Sequence, residues 1–326
     1  MIFYSLQEIL LIVAAAIIID WIVGDPKWPT HPVIYIGRFI RLLEARLRPG
    51  GESLAARQLK RRGVVLTAVT TTVSLCILWA VIMLGSMIHT WLGYALSAWF
   101  ISTTIAVKGL KDAAMLVYRP LAAGNLEEAR KYAGYIVSRD TSVMDERDTA
   151  RSAIETVAEN TVDAFVSPIF YALLGAAPLA MLYRSANTLD SMVGYKNENY
   201  IHFGWASARF DDVLNFIPAR LCGLLLTAAA WCIPGLSPLR AFRSIREFAH
   251  RHPSPNSGIP ESAAAGAIGI ELGGRNVYFG TVSERARLGW PLRPLERRDI
   301  LKTVQLLYVT SAIVFMGVLI GWLFVR

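Results

Sequence analysis

Charge is scarce in this chain. Of its 326 residues, 18% are Asp, Glu, Lys or Arg, where soluble domains carry about 25%. Cysteine is scarcer still. Cys76, Cys222 and Cys232 sit in or near apolar runs, without C-x-x-C spacing or a nearby histidine set. A disulfide framework and a structural zinc site are therefore not expected, and the three thiols read as buried structural groups. Five scattered histidines argue against a metal–histidine centre. There is no Walker A lysine–serine pair, no G-x-G-x-x-G after a strand and no H-E-x-x-H. The G-x-S-x-G of serine hydrolases is absent as well. Any nucleotide binds without the P-loop or Rossmann folds. The first apolar segment lacks a basic start and a small-residue cleavage site, so it does not read as a cleaved signal peptide. No repeat or low-complexity tract appears.

What the chain does contain is apolar length. It is 54% hydrophobic, with a mean hydropathy of +0.41. Residues 305–324 can cross about 30 Å of hydrocarbon as a helix. Runs at 5–23, 63–88 and 92–107 read the same way. The runs at 164–183 and 213–234 hold Pro168, Pro178, Pro218 and Pro234 and suggest broken or re-entrant helices, which are tolerated where protein shields them. The fold class expected is all-α: a polytopic integral membrane protein with five to six membrane segments, some broken or re-entrant, and cytoplasmic helical loops. Residues 34–47 form an amphipathic helix along the inner surface, and 108–161 a polar helical section with breaks at Gly124 and Asp140–Thr141. Asn125 reads as an N-cap, and Asp148 or Thr149 as the start of the next helix.

Basic residues concentrate where the positive-inside rule puts cytoplasmic flanks. From Tyr35 to Arg62 there are eight Lys or Arg against two acids, and from Ser237 to Ile300 ten against six. Net charge is +8. These regions favour a phosphate-rich ligand. Nucleic acid is not expected, because the basic residues share their segments with membrane anchors.

The most informative stretch is ETVAENTVD (155–163). Glu155, Glu159 and Asp163 fall at intervals of four, on one face of a helix, where like charges repel. A divalent metal or a cationic partner such as an arginine can offset that repulsion. Hard oxygen ligands suit magnesium, and magnesium suits phosphate substrates. Four other constellations accompany it. A stiff Pro-rich loop presents Asp25, Lys27 and His31. The run Ser138–Ser142 brings Arg139 and Asp140, with Arg151 beyond, as phosphate grips. Asn187, Asp190, Lys196 and Asn197 offer oxygen ligands and a point charge, with His202 close by in sequence. Asn256, Ser257 and Glu261 stand in a rigid turn before an Ala/Gly-rich helix, where backbone amides can receive an anion. Each also has a plain structural reading: helix terminus, self-neutralised surface, or salt-linked bundle packing.

Long motifs carry a family resemblance: DWIVGDPKWPTHPV (20–33), KGLKDAA (108–114), YIVSRDT (135–141), AIETVAENTVDAFVSPIFY (153–171), 183–221 and 252–280. In these the chain resembles the CobD/CbiB adenosylcobinamide-phosphate synthases of cobalamin biosynthesis. The resemblance implies one domain over residues 1–326, with polar catalytic loops near 20–33, 108–163, 184–212 and 235–300 meeting at the inner face. It implies an inner-membrane enzyme with a cytoplasmic active face. The implied reaction joins adenosylcobyric acid to (R)-1-amino-2-propanol O-2-phosphate, with ATP as co-substrate and Mg2+. The partners implied are these two substrates and the lipid bilayer, with a homo-oligomer or other cobalamin-assembly enzymes as further partners. On residue chemistry, Glu155, Glu159, Asp163 and Asp190 are the expected metal ligands, and His202 or an acid the proton acceptor. The rival readings are a non-catalytic membrane regulator related to the family and a corrinoid transporter.

Overall fold

A computed structural model describes residues 4–24, 30–48, 55–195, 197–278 and 281–325. Asp25, Lys27 and Lys196 lie outside the described residues. In chain order the helices are α1 (Leu6–Ile22), α2 (Pro32–Leu47), α3 (Ala56–Ile88), α4 (Thr90–Ser102), α5 (Val107–Ala122), α6 (Leu126–Ala133), α7 (Glu146–Thr161), α8 (Ser167–Val193), α9 (Trp205–Leu214), α10 (Phe216–Cys232), α11 (Pro238–Phe248), α12 (Gly258–Ile268) and α13 (Arg298–Val325). A π-helical turn, Val162–Val166, joins α7 to α8. The exception to helix is an antiparallel hairpin of β1 (Leu272–Tyr278) and β2 (Thr281–Leu288), in register Gly274↔Arg285 and Val277↔Val282.

Among the described residues, helical stretches long and apolar enough to cross a membrane run over Ala56–Ile88, Thr90–Ala122, Glu146–Val193 and Arg298–Val325, and the bent pair Trp205–Leu214 and Phe216–Cys232 adds one more if it acts as a single span. That makes four or five against the five to six expected. The shortfall falls on α1, whose 17 residues reach only about 25 Å at 1.5 Å per residue, less than the hydrocarbon thickness of about 30 Å. The apolar run 164–183 is broken in the way its prolines suggest. Gly175 and Ala176 leave helical φ/ψ just ahead of Pro178, whose ring excludes the preceding turn from regular helix. Pro218 instead falls in the first turn of α10, where a missing N–H costs little.

The chain gathers into two compact units. The first holds residues 1–106, 167–215 and 318–326, and the second 107–166 and 216–317. In the first, α3 packs on α4 and α8, α1 on the same two helices, and the amphipathic α2 on α3 and α8. Its core includes Ile17, Ile40, Leu66, Ile82, Ile101 and Tyr183, all essentially inaccessible. In the second, α12 packs on α10, α11 and α7, and α5 on α6 and α7. The helix α12 (GIPESAAAGAI) is buried along its whole length. Its small residues let it sit close to α11, where a Cβ on Gly266 would lie 2.5 Å from the Arg240 carbonyl oxygen.

Local signals mostly formed as read. Asn125 caps α6 by accepting from the Glu128 N–H at 3.1 Å. The cap of α7 is Asp145 rather than Asp148 or Thr149. Its carboxylate accepts from the Asp148 N–H at 2.7 Å, and Asp148 takes a first-turn place, where acids favour the helix dipole. The expectation of three buried thiols holds for Cys222; Cys76 and Cys232 are exposed, and all three are free.

Candidate functional site

Each unit carries a polar cluster. The one in the second unit is built on α7. Glu155 is 3% exposed and has both carboxylate oxygens engaged. Oε2 accepts from Arg139 Nη2 at 2.5 Å, and Oε1 accepts from the Gly273 N–H at 2.7 Å. Arg151 Nε stands 3.9 Å from Oε1. Arg151 also ties α7 to the hairpin, donating to the Gly273 carbonyl, to the Arg275 carbonyl at 2.8 Å and to Asn276 Oδ1 at 3.1 Å. Gly273 has φ +81, and a Cβ there would lie 2.0 Å from the Ala286 carbonyl oxygen, so a glycine is required at this bulge. The Asp140 N–H donates to the Val277 carbonyl at 2.9 Å. The loop after α6, the helix α7 and strand β1 are thus stitched around one buried carboxylate.

Beside this stitch lie Glu159, His252, Glu261 and Arg285, close enough for their charges to interact. His252 Nδ1 accepts from the Ser254 N–H at 3.0 Å, which leaves the proton of a neutral ring on Nε2. That nitrogen stands 3.7 Å from Glu261 Oε1. His252 Nε2, Glu261 Oε1 and Ser262 Oγ are all buried without a hydrogen-bond partner among the described residues. Burial, together with Glu159 and Glu155, holds the Glu261 carboxyl well above its ordinary range, against the opposing pull of Arg285 and Arg139. Burial also holds His252 below its ordinary value, with Arg285 adding to the effect while Glu159 and Glu155 resist it.

The four metal ligands expected from spacing, Glu155, Glu159, Asp163 and Asp190, are not gathered into one group of three or more. Among the described residues no group of three or more His, Cys, Asp or Glu is placed to hold an ion. Glu155 is neutralised by arginines, the second of the two ways its repulsion can be offset. The π-helical turn begins at Val162, so Asp163 lies beyond the regular helix that carries Glu155 and Glu159. Asp190 belongs to the other unit.

The cluster in the first unit centres on Asp211 and Asn215. Asn215 Nδ2 donates to Asp211 Oδ2 at 2.9 Å, and Asn187 Nδ2 donates to Asp211 Oδ1 at 3.4 Å. Asn215 Oδ1 accepts from Ser167 Oγ at 2.5 Å and from Tyr183 Oη at 2.9 Å. Asp190 lies near enough to act on Asp211 electrostatically. His202 is half-buried, and its Nδ1 has no hydrogen-bond partner among the described residues.

Three expected ligand residues, His31, Asp140 and Asn197, spend their side chains on the backbone. His31 caps α2, its Nδ1 accepting from the Val33 N–H at 3.2 Å. Asp140 Oδ1 closes a turn by accepting from the Ser142 N–H at 3.1 Å. Asn197 Oδ1 accepts from the Tyr200 N–H at 3.1 Å. Asn256 Oδ1 accepts from Arg220 Nη1 at 3.3 Å, and the Ser257 N–H donates to Ser254 Oγ at 3.3 Å. Residue patterns alone gave no role to His252, Arg285, Asn276, Gly273, Asp211 or Asn215. The hairpin that supplies three of them has a faint signal, alternating apolar residues around Gly280.

These features define a helical membrane protein with a buried, mixed carboxylate–guanidinium centre. A family model described as CobD/Cbib protein matches residues 13–307, and the chain belongs to that family. It is 45% identical to "Cobalamin biosynthesis protein CobD" of Geobacter metallireducens, over 91% of this chain and 92% of the relative. With the CobD protein of Halalkalibacterium halodurans identity is 44%, over 97% and 98%. "Cobalamin biosynthesis protein CbiB" of Salmonella typhimurium is 42% identical, over 91% and 92%. No solved structure matches.

Proposed function

We propose that the chain is an adenosylcobinamide-phosphate synthase, forming the amide between adenosylcobyric acid and (R)-1-amino-2-propanol O-2-phosphate with ATP and Mg2+. The observation that carries this reading is the centre of the second unit. Its buried polar atoms at Glu261, His252 and Ser262 lack hydrogen-bond partners among the described residues, and buried polar groups without partners are rare unless something from outside supplies them. Full-length similarity to cobalamin-biosynthesis proteins supports the pathway.

A carboxylate does not acylate an amine at neutral pH without activation. In the proposed reaction a substrate carboxylate oxygen attacks the γ-phosphorus of ATP, and ADP leaves. The amine nitrogen then attacks the acyl carbon of the acyl phosphate. Inorganic phosphate leaves, and the ammonium proton passes to a base. Glu155, with Arg139 and Arg151, positions α7 against the hairpin. The donor set fits magnesium in a limited form. Glu159 and Glu261 supply two oxygen-bearing side chains, and magnesium is commonly held by one or two carboxylates together with substrate phosphates. When bound, the ion offsets charge on phosphate oxygens. A neutral His252 accepts a proton only at Nδ1, where the Ser254 N–H sits, or after its Nε2–H has moved to Glu261. His202 and Asp190, in the first unit, remain alternative proton acceptors. We place the active face on the cytoplasmic side, because the basic flanks around α2 and in residues 237–300 follow the positive-inside rule.

The test is amide formation by purified protein supplied with both substrates, ATP and Mg2+. A folded preparation that yields no adenosylcobinamide phosphate and no ADP rejects the reading.

A further inference from the structure

In the second unit's centre the arginines expected to grip phosphate direct most of their donors at the protein, although Arg151 Nε has no hydrogen-bond acceptor among the described residues. Arg151 directs its donors at two hairpin carbonyls and Asn276, and it pairs with Asp148 at 3.1 Å. Arg139 holds Glu155. Arg285 on β2 differs. It is half-buried, and no side-chain hydrogen bond or ion pair joins it to any described residue. Acid is not lacking around that strand, since Arg287 pairs with Glu271, just before β1, at 2.9 Å and with Glu284 at 3.6 Å.

The register shows which way Arg285 faces. It stands opposite Gly274, and opposed residues of an antiparallel pair share a face. A Cβ on Gly274 would come within 3.2 Å of Arg151 Nη1. Arg285 therefore lies on the face of the hairpin that meets Arg151, and the missing side chain at Gly274 leaves its approach open. Strand β2 packs on α12, which carries Glu261, and on the turn 249–251 just before His252, and the charge of Arg285 acts on both residues. A guanidinium offers a planar fork of five donors that matches phosphate oxygens two at a time.

We propose that Arg285 is the phosphate-binding residue of this centre, with a phosphoryl group of one charged co-substrate as its ligand. The assignment rests on the ligase reading for the identity of that co-substrate, and on the hairpin geometry for the site itself.

The experiment titrates full-length protein in nanodiscs with MgATP and, separately, with (R)-1-amino-2-propanol O-2-phosphate. Wild type, Arg285→Gln and Arg285→Lys are compared by calorimetry. Arg285→Gln should weaken one of the two ligands by about tenfold or more and leave the other unchanged, and the ligand affected identifies the phosphate source. Arg285→Lys, which keeps the charge but not the fork, should recover part of the loss. In turnover, KM for the affected ligand should rise more than kcat falls. Hydrogen exchange over 272–288 checks that the hairpin is intact. If Arg285→Gln loosens it, Arg285→Lys decides, and wild-type affinity in that variant overturns the assignment. Equal affinities in wild type and Arg285→Gln also overturn it, as does a wild type that binds neither phosphate. Arg285-dependent binding without amide formation supports the assignment and removes the ligase reading.

Discussion

Replacing Glu155 with Gln isolates the bond that joins α7 to the hairpin. The carboxylate is 3% exposed and accepts from Arg139 at 2.5 Å and from the Gly273 N–H at 2.7 Å. Gln keeps the shape and one carbonyl oxygen, but loses the charge and turns an NH2 toward one of the two donors. A hydrogen bond to a charged group contributes about 1.5–3 kcal/mol and a neutral one about 0.5–1.5. Removing one partner of a buried ion pair outright costs about 3–5 kcal/mol. Because one bond can persist, Glu155→Gln should lose about 2–3 kcal/mol, and Glu155→Ala should approach the upper range. The loss falls first on the hairpin, whose opening need not unfold the helices. Since 1.4 kcal/mol is a factor of ten, the Gly273 amide should exchange about 30–150-fold faster. Hydrogen exchange by mass spectrometry on peptides from 272–288 reads this directly, with the body of α13 as internal control. Adding Arg139→Gln should recover part of the loss, because an uncompensated buried guanidinium is then gone. Unchanged protection of the hairpin in Glu155→Gln, or strict additivity in the double variant, would refute the coupling.

Two further outcomes follow from the clusters. Glu261 holds its proton well above the ordinary 4.5, so the folded state keeps a proton that the unfolded chain releases. Its contribution to stability is complete below pH 4.5 and fades as pH rises through the folded value. His252 is held below 6.5, so its contribution is complete above pH 6.5 and fades as pH falls through its lowered folded value. Glu261→Gln should therefore raise Tm at pH 9 relative to wild type and change it less at pH 6; a parallel shift at both pH values would contradict the sign. In the first unit, Asp211→Ala leaves the Nδ2 donors of Asn187 and Asn215 without their acceptor. At about 1–3 kcal/mol per orphaned buried group, and with one bond long, the cost should be about 2–4 kcal/mol. Thermal unfolding in detergent measures it, and an unaltered Tm would show that the network does not hold α8 to α9.

What the sequence made legible is what one periodicity can carry. The apolar runs, the amphipathic α2, the Asn125 cap and the broken run before Pro178 all follow from local rules, and they formed. Four or five spans meet the length and composition test where five to six were expected, and the run that misses it is α1, at 17 residues. The site was legible only in part. Spacing correctly marked Glu155 as a carboxylate needing a positive partner. It could not choose between a metal and an arginine, because Arg139 and the Gly273 N–H arrive from elsewhere in the chain. The hairpin escaped notice for a related reason. Its register depends on positive φ at Gly273 and Gly274, and glycine in sequence does not announce which of its conformations it adopts.

The same contrast separates two kinds of arginine that look alike in sequence. Arg151 and Arg285 are both basic residues in polar segments, and sequence chemistry preferred Arg151 because it accompanies the acidic helix. Its Nη groups hold the Gly273 and Arg275 carbonyls, Asn276 Oδ1 and Asp148, and the two carbonyls cannot leave to admit a ligand without releasing β1. Arg285 has no such obligation, and its absence from the sequence-derived site reflects a strand pairing no helical periodicity could reveal. In a centre where carboxylates outnumber uncommitted cations, the guanidinium whose donors remain unspent is the one positioned to accept an incoming anion, while the buried pair at Glu155 fixes the frame in which it does so.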